Sequence, residues 1–324
     1  YMGGLSQAFP AARSRDRRAL AEAEEARALA AESVEVGRAL FLEVAHACVD
    51  WSAAEALRRS IAGHRELFEA IREAALARYG TGGASLGMVA RTEAALAGID
   101  RQLVEAELES EVARAALEAL SAGLAPLPRQ APPLRDFDRT LEVERLVAAA
   151  LAARGDREAT EARAGAASAR SEAARAEGRA PSFEVRASYM QSPSMSPGLG
   201  AMVSMSLPWL WGGAGARREA AEADAIAARA DIEARERVIR VEVTRAVSRL
   251  MATRRALELL VTRELPAAQQ AAEAERAALA SGRFDLLAWT DAAHALETAL
   301  HDAVRLRGAL GHASIDLQAS TGER

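Results

Sequence analysis

The sequence predicts a mainly helical protein with a small β part, built as two repeats of long antiparallel helical hairpins that carry strands. Three observations predict it. Long proline-poor stretches are dominated by alanine, arginine, glutamate and leucine with interleaved charge, the composition of long helices. One segment, Ser182 to Leu207, reads instead as strand. And a strand–proline–arginine signal occurs twice, at Leu5 to Arg18 and at Val203 to Arg218.

The elements follow in order. From Ala11 to about Ala77 there is no proline, and Val34, Phe41, Val44, Cys48, Trp51, Leu57, Ile61, Phe68 and Ile71 recur mostly in steps of three, four and seven. That is a seam for another helix on a rod of about 100 Å. The run Gly80, Thr81, Gly82, Gly83, Ala84, Ser85 breaks the pattern, and a return helix is expected from about Leu86 to Leu120. Pro126, Pro128, Pro132 and Pro133 mark an irregular connection, followed by a helix expected from Leu134 to about Glu177. Ser182–Gln191 and Gly200–Leu207 should form one hairpin, with Ser192, Pro193, Pro197 and Gly198 as turn material. In its second strand Met202, Ser204 and Ser206 point one way and Val203, Met205 and Leu207 the other. A third long helix runs from about Ala214 to Ser281 and Gly282, bent at Pro266, and a last one from about Asp285 to Gln318.

The repeat divides the chain into 1–133 and 134–324. Gly80 follows Pro10 by 70 residues and Gly282 follows Pro208 by 74, so strand, long helix, glycine turn and return helix occur twice. The second copy also shows a preceding helix and strand that the first lacks, and the start at Tyr1 reads as that of a mature or truncated piece.

Composition narrows function. The chain has 324 residues and a formal charge of −5, with acidic and basic residues interspersed, which argues against nucleic acid as a partner. It contains no lysine, so Schiff-base and P-loop lysines are excluded, and its single cysteine, Cys48, excludes a disulfide framework. No Gly-x-Ser-x-Gly, HExxH or Walker sequence occurs, and an enzyme is not expected. His64 lies on the apolar seam and is expected to pack. His294 and His301, seven apart, could share a helix face but lack a carboxylate set, so no metal site and no cofactor are expected. Met190, Met195, Met202 and Met205 read as lipid-facing or lumen-filling strand residues, and Cys48 as an inert packed thiol. No stretch of about 18 apolar residues is present, so any membrane contact is expected from strands.

An isolated hairpin leaves two open edges, which oligomerisation into a closed barrel removes. Ser6-Gln7-Ala8-Phe9-Pro10 with the following arginines, Ser206-Leu207-Pro208-Trp209 with Gly212-Gly213, Ala280-Ser281-Gly282-Arg283-Phe284-Asp285-Leu286-Leu287, and the ending from Leu317 to Gly322 resemble the TolC family of outer-membrane efflux channels over essentially the whole chain. The glycine-rich first turn, Glu118-Ala119-Leu120 and the Pro126–Pro133 stretch resemble its heavy-metal cation branch.

The resemblance implies a trimer whose strands share one barrel in the outer membrane and whose helices form a tunnel in the periplasm. It would conduct metal cations or small toxic molecules passively out of a tripartite pump or a type I secretion system. It implies an adaptor-docking tip at Gly80, Gly82, Gly83 and Ser85 and at Gly282, Arg283, Phe284 and Asp285, where Asp285 also suits a helix N-cap. Asp291 matches a family position where acids ring the entrance, although a neighbouring family acid falls on Ala288 here. Trp209 and Trp211 stand where interfacial aromatics would. The implied partners are two further copies of the chain, a periplasmic adaptor, an inner-membrane pump and outer-membrane lipid. The competing reading is a soluble elongated coiled-coil scaffold, which has no reason to hold a strand hairpin between helices. A periplasmic adaptor would carry one helical hairpin and more strand.

Overall fold

A computed structural model describes residues 2–10, 12–121, 126–134, 141–192, 195–208, 210, 213–280 and 285–322. The strands are β1 (Met2–Phe9), β2 (Ser182–Ser192) and β3 (Met195–Ser206). The helices are α1 (Ala12–Gly80), α2 (Leu86–Ser121), α3 (Val143–Ala153), α4 (Gly155–Glu177), α5 (Gly213–Leu259), α6 (Leu265–Ala280) and α7 (Leu286–Thr321). Among the described residues no helix is long and apolar enough to cross a membrane.

The chain forms two compact units, each assembled from two separate stretches of sequence. The first comprises residues 1–37 and 148–241. Its helices approach through alanine: Ala28 and Ala31 of α1 bury against Ala159 and Ala162 of α4. Small side chains bring the helix axes close. Gly155, which opens α4, has no room for a Cβ, because one built there would lie 2.9 Å from the carbonyl oxygen of Ala31. The amide of Gly155 donates to Glu35 Oε1 at 2.8 Å. Around this seam the interleaved charges become cross-helix pairs, Arg163–Glu32 at 2.6 Å, Arg170–Glu25 at 3.1 Å and Arg157–Glu236 at 3.1 Å. Being solvated, such pairs fix pairing more than they add stability.

The helix expected over Leu134–Glu177 is divided. It begins at Val143 and breaks at Arg154, whose backbone is extended with φ −80° and ψ 123°. The close approach of Gly155 to α1 supplies the reason. The strands also differ from expectation. β1 pairs antiparallel with β2, so the hairpin is part of a three-stranded sheet in the order β1-β2-β3. Pro197 and Gly198, expected in the turn, lie within β3, with Pro197 at the register irregularity between the Met190–Gly198 and Ser192–Met195 pairs, a place that tolerates a missing N–H.

The second unit comprises residues 38–147 and 242–324. Its main core joins three helices: Ile61, Phe68, Ile71 and Ala75 of α1, Val89, Ile99 and Ala106 of α2, and Trp289 and Ala293 of α7. A second cluster packs Ala47 and Trp51 against Leu117 and Ala131. Between α5 and α6 the expected effect of Pro266 takes the form of a π-turn, Leu260–Glu264, which absorbs the change of hydrogen-bond register before the residue that cannot donate. Cys48 is half-buried, and burial raises its thiol pKa, which keeps it protonated and unreactive.

Candidate functional site

The turn between α1 and α2 is built by its glycines. Gly82 has φ +76°, a left-handed conformation that glycine adopts without Cβ strain. The amide of Gly82 donates to Tyr79 O at 3.1 Å and that of Gly83 to Arg78 O at 2.8 Å. These two bonds close α1 as a Schellman motif. Ser85 then caps α2, accepting from the Met88 amide at 3.3 Å. Gly80, Gly82, Gly83 and Ser85 are all exposed.

The start of α7 is set by Asp285, whose Oδ1 accepts from the Leu287 amide at 2.9 Å, so the expected N-cap role is present. One turn on, Trp289 is 2 % exposed and packs in the core shared with α1 and α2. That core brings the α1–α2 turn and the start of α7 to one end of the second unit. Asp291 is exposed on α7. Gly282, Arg283 and Phe284, and likewise Trp209 and Trp211, lie outside the described residues.

The sheet is two-faced. Directly paired residues share a face, so the register gathers Leu5, Phe9, Phe183, Val185, Tyr189, Leu199, Val203 and Met205 on one side. All eight are exposed. The other side carries Ser6, Ser182, Glu184, Arg186, Ser188, Ser204 and Ser206, with an Arg186–Glu184 pair at 3.0 Å. Of the four methionines, Met205 is on the apolar side and Met202 on the polar side, where it pairs with Arg186. Such alternation is that of a strand between lipid and a polar lumen.

The histidines were only partly legible. His64 is buried as expected, and its Nδ1–H donates to the Ser60 carbonyl at 2.8 Å. His46 and His312, 266 residues apart, meet through their Nδ1 atoms at 2.7 Å, one donating and one accepting. Their rings lie within 16° of parallel, and their Nε2 atoms face Asp316 Oδ1 at 3.3 Å and Asp50 Oδ1 at 2.9 Å respectively. No local spacing signals this pair. His294 Nδ1 lies 3.0 Å from Glu297 Oε2, and its ring packs on Phe68. Among the described residues no group of three or more potential metal ligands is gathered.

His301 is half-buried beside His64, and desolvation holds its pKa below the ordinary 6.5, Glu297 opposing. The folded state therefore prefers the neutral ring. The stability tied to that preference is complete above about pH 6.5 and is lost as pH falls through the lowered value. Thermal melts of the wild type and of His301→Gln are expected to show a smaller loss of Tm between pH 7 and pH 5 in the variant. Equal losses would contradict this.

The family model for outer membrane efflux proteins matches residues 146–323. Comparison with curated proteins returns no match. Among solved structures, the chain is similar to the outer-membrane channel OprN, at 22% identity and a TM-score of 0.83, covering 99% of this chain and 75% of that one. VceC from Vibrio cholerae gives 18% identity and a TM-score of 0.79, covering 100% and 87%. CusC gives 18% and 0.83, covering 100% and 78%. With more than half of its length matched by that model, and with helices and sheet arranged as in these channels, the chain belongs to the outer membrane efflux protein family.

Proposed function

We propose that this chain lines an exit duct through which an exported solute passes unchanged, guided by the walls alone. As a member of its family it is an outer-membrane channel subunit of a tripartite efflux pump. It works as a homotrimer with a periplasmic adaptor and an inner-membrane pump, its helices in the periplasm. The single observation that carries the duct reading is the two-faced sheet, an exposed apolar side backed by a polar side. Among the described residues the outer edges of β1 and β3 are unpaired, and in lipid such edges require further strands and closure. A coiled-coil scaffold has no use for such a sheet.

Gly80, Gly82, Gly83 and Ser85, with Gly282, Arg283, Phe284 and Asp285, are proposed as the adaptor-docking tip. Exposure of the first four and of Asp285, and the core shared by the helices they begin or end, support this. Three copies of Asp291 would ring the entrance and favour cations. Trp209 and Trp211 are proposed to lie at the membrane interface. The two repeats, 1–133 and 134–324, are proposed as copies of one plan. Metal cations are the cargo the subgroup resemblance favours, with small toxic molecules as the other class.

The test is single-channel recording of the full chain in planar bilayers. Ohmic steps with a preference for cations are expected, and Asp291→Asn is expected to lower that preference. Absence of conductance would overturn the reading.

A further inference from the structure

Conduction leaves one feature of the sequence without a role, the arginines at the junctions of strand and helix. Arg13, Arg15, Arg17 and Arg18 open α1, Arg179 stands between α4 and β2, and Arg217 and Arg218 lie near the start of α5. Neither α1 nor α5 has an acidic residue in its first turn. Cations there oppose the helix dipole, so this placement costs the fold stability unless an anion offsets it; Arg17 and Arg18 find one in Glu172 and Glu177.

Three of them, Arg13 and Arg17 of α1 and Arg179 just beyond α4, line a cavity of about 490 Å³ together with Glu172 and Arg175 of α4. Internal partners account for half of its positive charge. Arg17 pairs with Glu172 at 2.8 Å and Arg175 with Glu222 at 2.9 Å. Arg13 and Arg179 are exposed and have no acidic partner among the described residues. Two unneutralised guanidinium forks facing one cavity match the oxygens of a phosphate.

The place of the cavity selects the phosphate. Arg13 follows β1 by four residues, and Arg179 precedes β2 by three. At these strand ends Phe9 pairs with Phe183 on the apolar side of the sheet. An aromatic pair closing an apolar band is the mark of a membrane interface. Directly beyond it, on the helix side, lies the depth of lipid headgroups.

We propose that this cavity binds the phosphate of an anionic phospholipid in the leaflet that faces the helices, with Arg13 and Arg179 as its principal ligands. The proposal rests on the reading of the sheet as a membrane wall. Arg13 and Arg179 then seat the β1–α1 and α4–β2 junctions at a fixed depth.

Native mass spectrometry of the full chain, released from nanodiscs of phosphatidylglycerol or of phosphatidylcholine, tests it. The wild type is expected to retain phosphatidylglycerol in preference to phosphatidylcholine. The double variant Arg13→Gln, Arg179→Gln is expected to hold it about thirtyfold more weakly. Arg91→Gln, at an exposed position on α2, should match the wild type. Arg13→Lys with Arg179→Lys should keep most of the binding, which separates lost charge from lost folding. Equal retention of the two lipids, unchanged binding in the glutamine variant, or displacement of the lipid by inorganic phosphate would overturn the proposal. So would loss of the trimer in the glutamine variant in neutral lipid, because a neighbouring protomer would then be the occupant. Bilayer conductance separates the two ideas: a conducting wild type without lipid preference sinks the lipid site alone, and a silent wild type sinks the channel.

Discussion

Trp289→Ala is expected to destabilise the second unit by about 3–5 kcal/mol, the usual cost of emptying a buried tryptophan site. Trp289 is the largest α7 side chain in the core shared with α1 and α2, which contains Phe68, Ile71, Val89 and Ile99. Its loss leaves a cavity lined by three helices that cannot close without moving one of them. Hydrogen exchange should locate the effect, with protection lost in residues 61–75, 89–106 and 286–299 and retained in β1–β3. A loss below about 1 kcal/mol would mean that the two turns are held at one end of the unit by something else.

Val203→Arg, one pair inside the Phe9–Phe183 interface, is expected to cost about 1–2 kcal/mol when the protein is folded into lipid, between the interfacial and midplane costs of a buried arginine, whereas Ser204→Arg should be nearly neutral. The two positions are neighbours in sequence and differ only in face. Val203 pairs with Val185 on the apolar side, and Ser204 pairs with Glu184 on the polar side, where a new guanidinium gains an opposite charge. Folding titrations into vesicles with urea read the difference. Equal costs at the two positions, or a larger one at Ser204, would reverse the assignment of lipid and lumen.

Much of this architecture was legible because it is local. Helix boundaries are announced by Gly82, which must take a positive φ, and by Ser85 and Asp285, which cap the helices that follow. The alternation from Met202 to Leu207 announces the two faces of β3. The pairing of β1 with β2 was not legible, since about 180 residues separate strands whose edges match many partners. The break at Arg154 depends on the backbone of Ala31, a contact that no window around residue 154 contains. The same holds for His46 and His312, each an ordinary helix residue in its own segment. Among the candidate site residues, the exposed turn was legible from glycine spacing. The arginine-lined cavity needed the structure, because Arg13 and Arg179 come from separate elements.

In the proposed duct, this chain contributes strands to a barrel shared by three copies. The most direct measurement is the protein mass of the detergent-extracted complex of the full chain, by light scattering with correction for bound detergent. Three chains per complex, persisting on dilution, is the expected result. A single chain per complex, with β1 and β3 edges left open in detergent, would contradict the account.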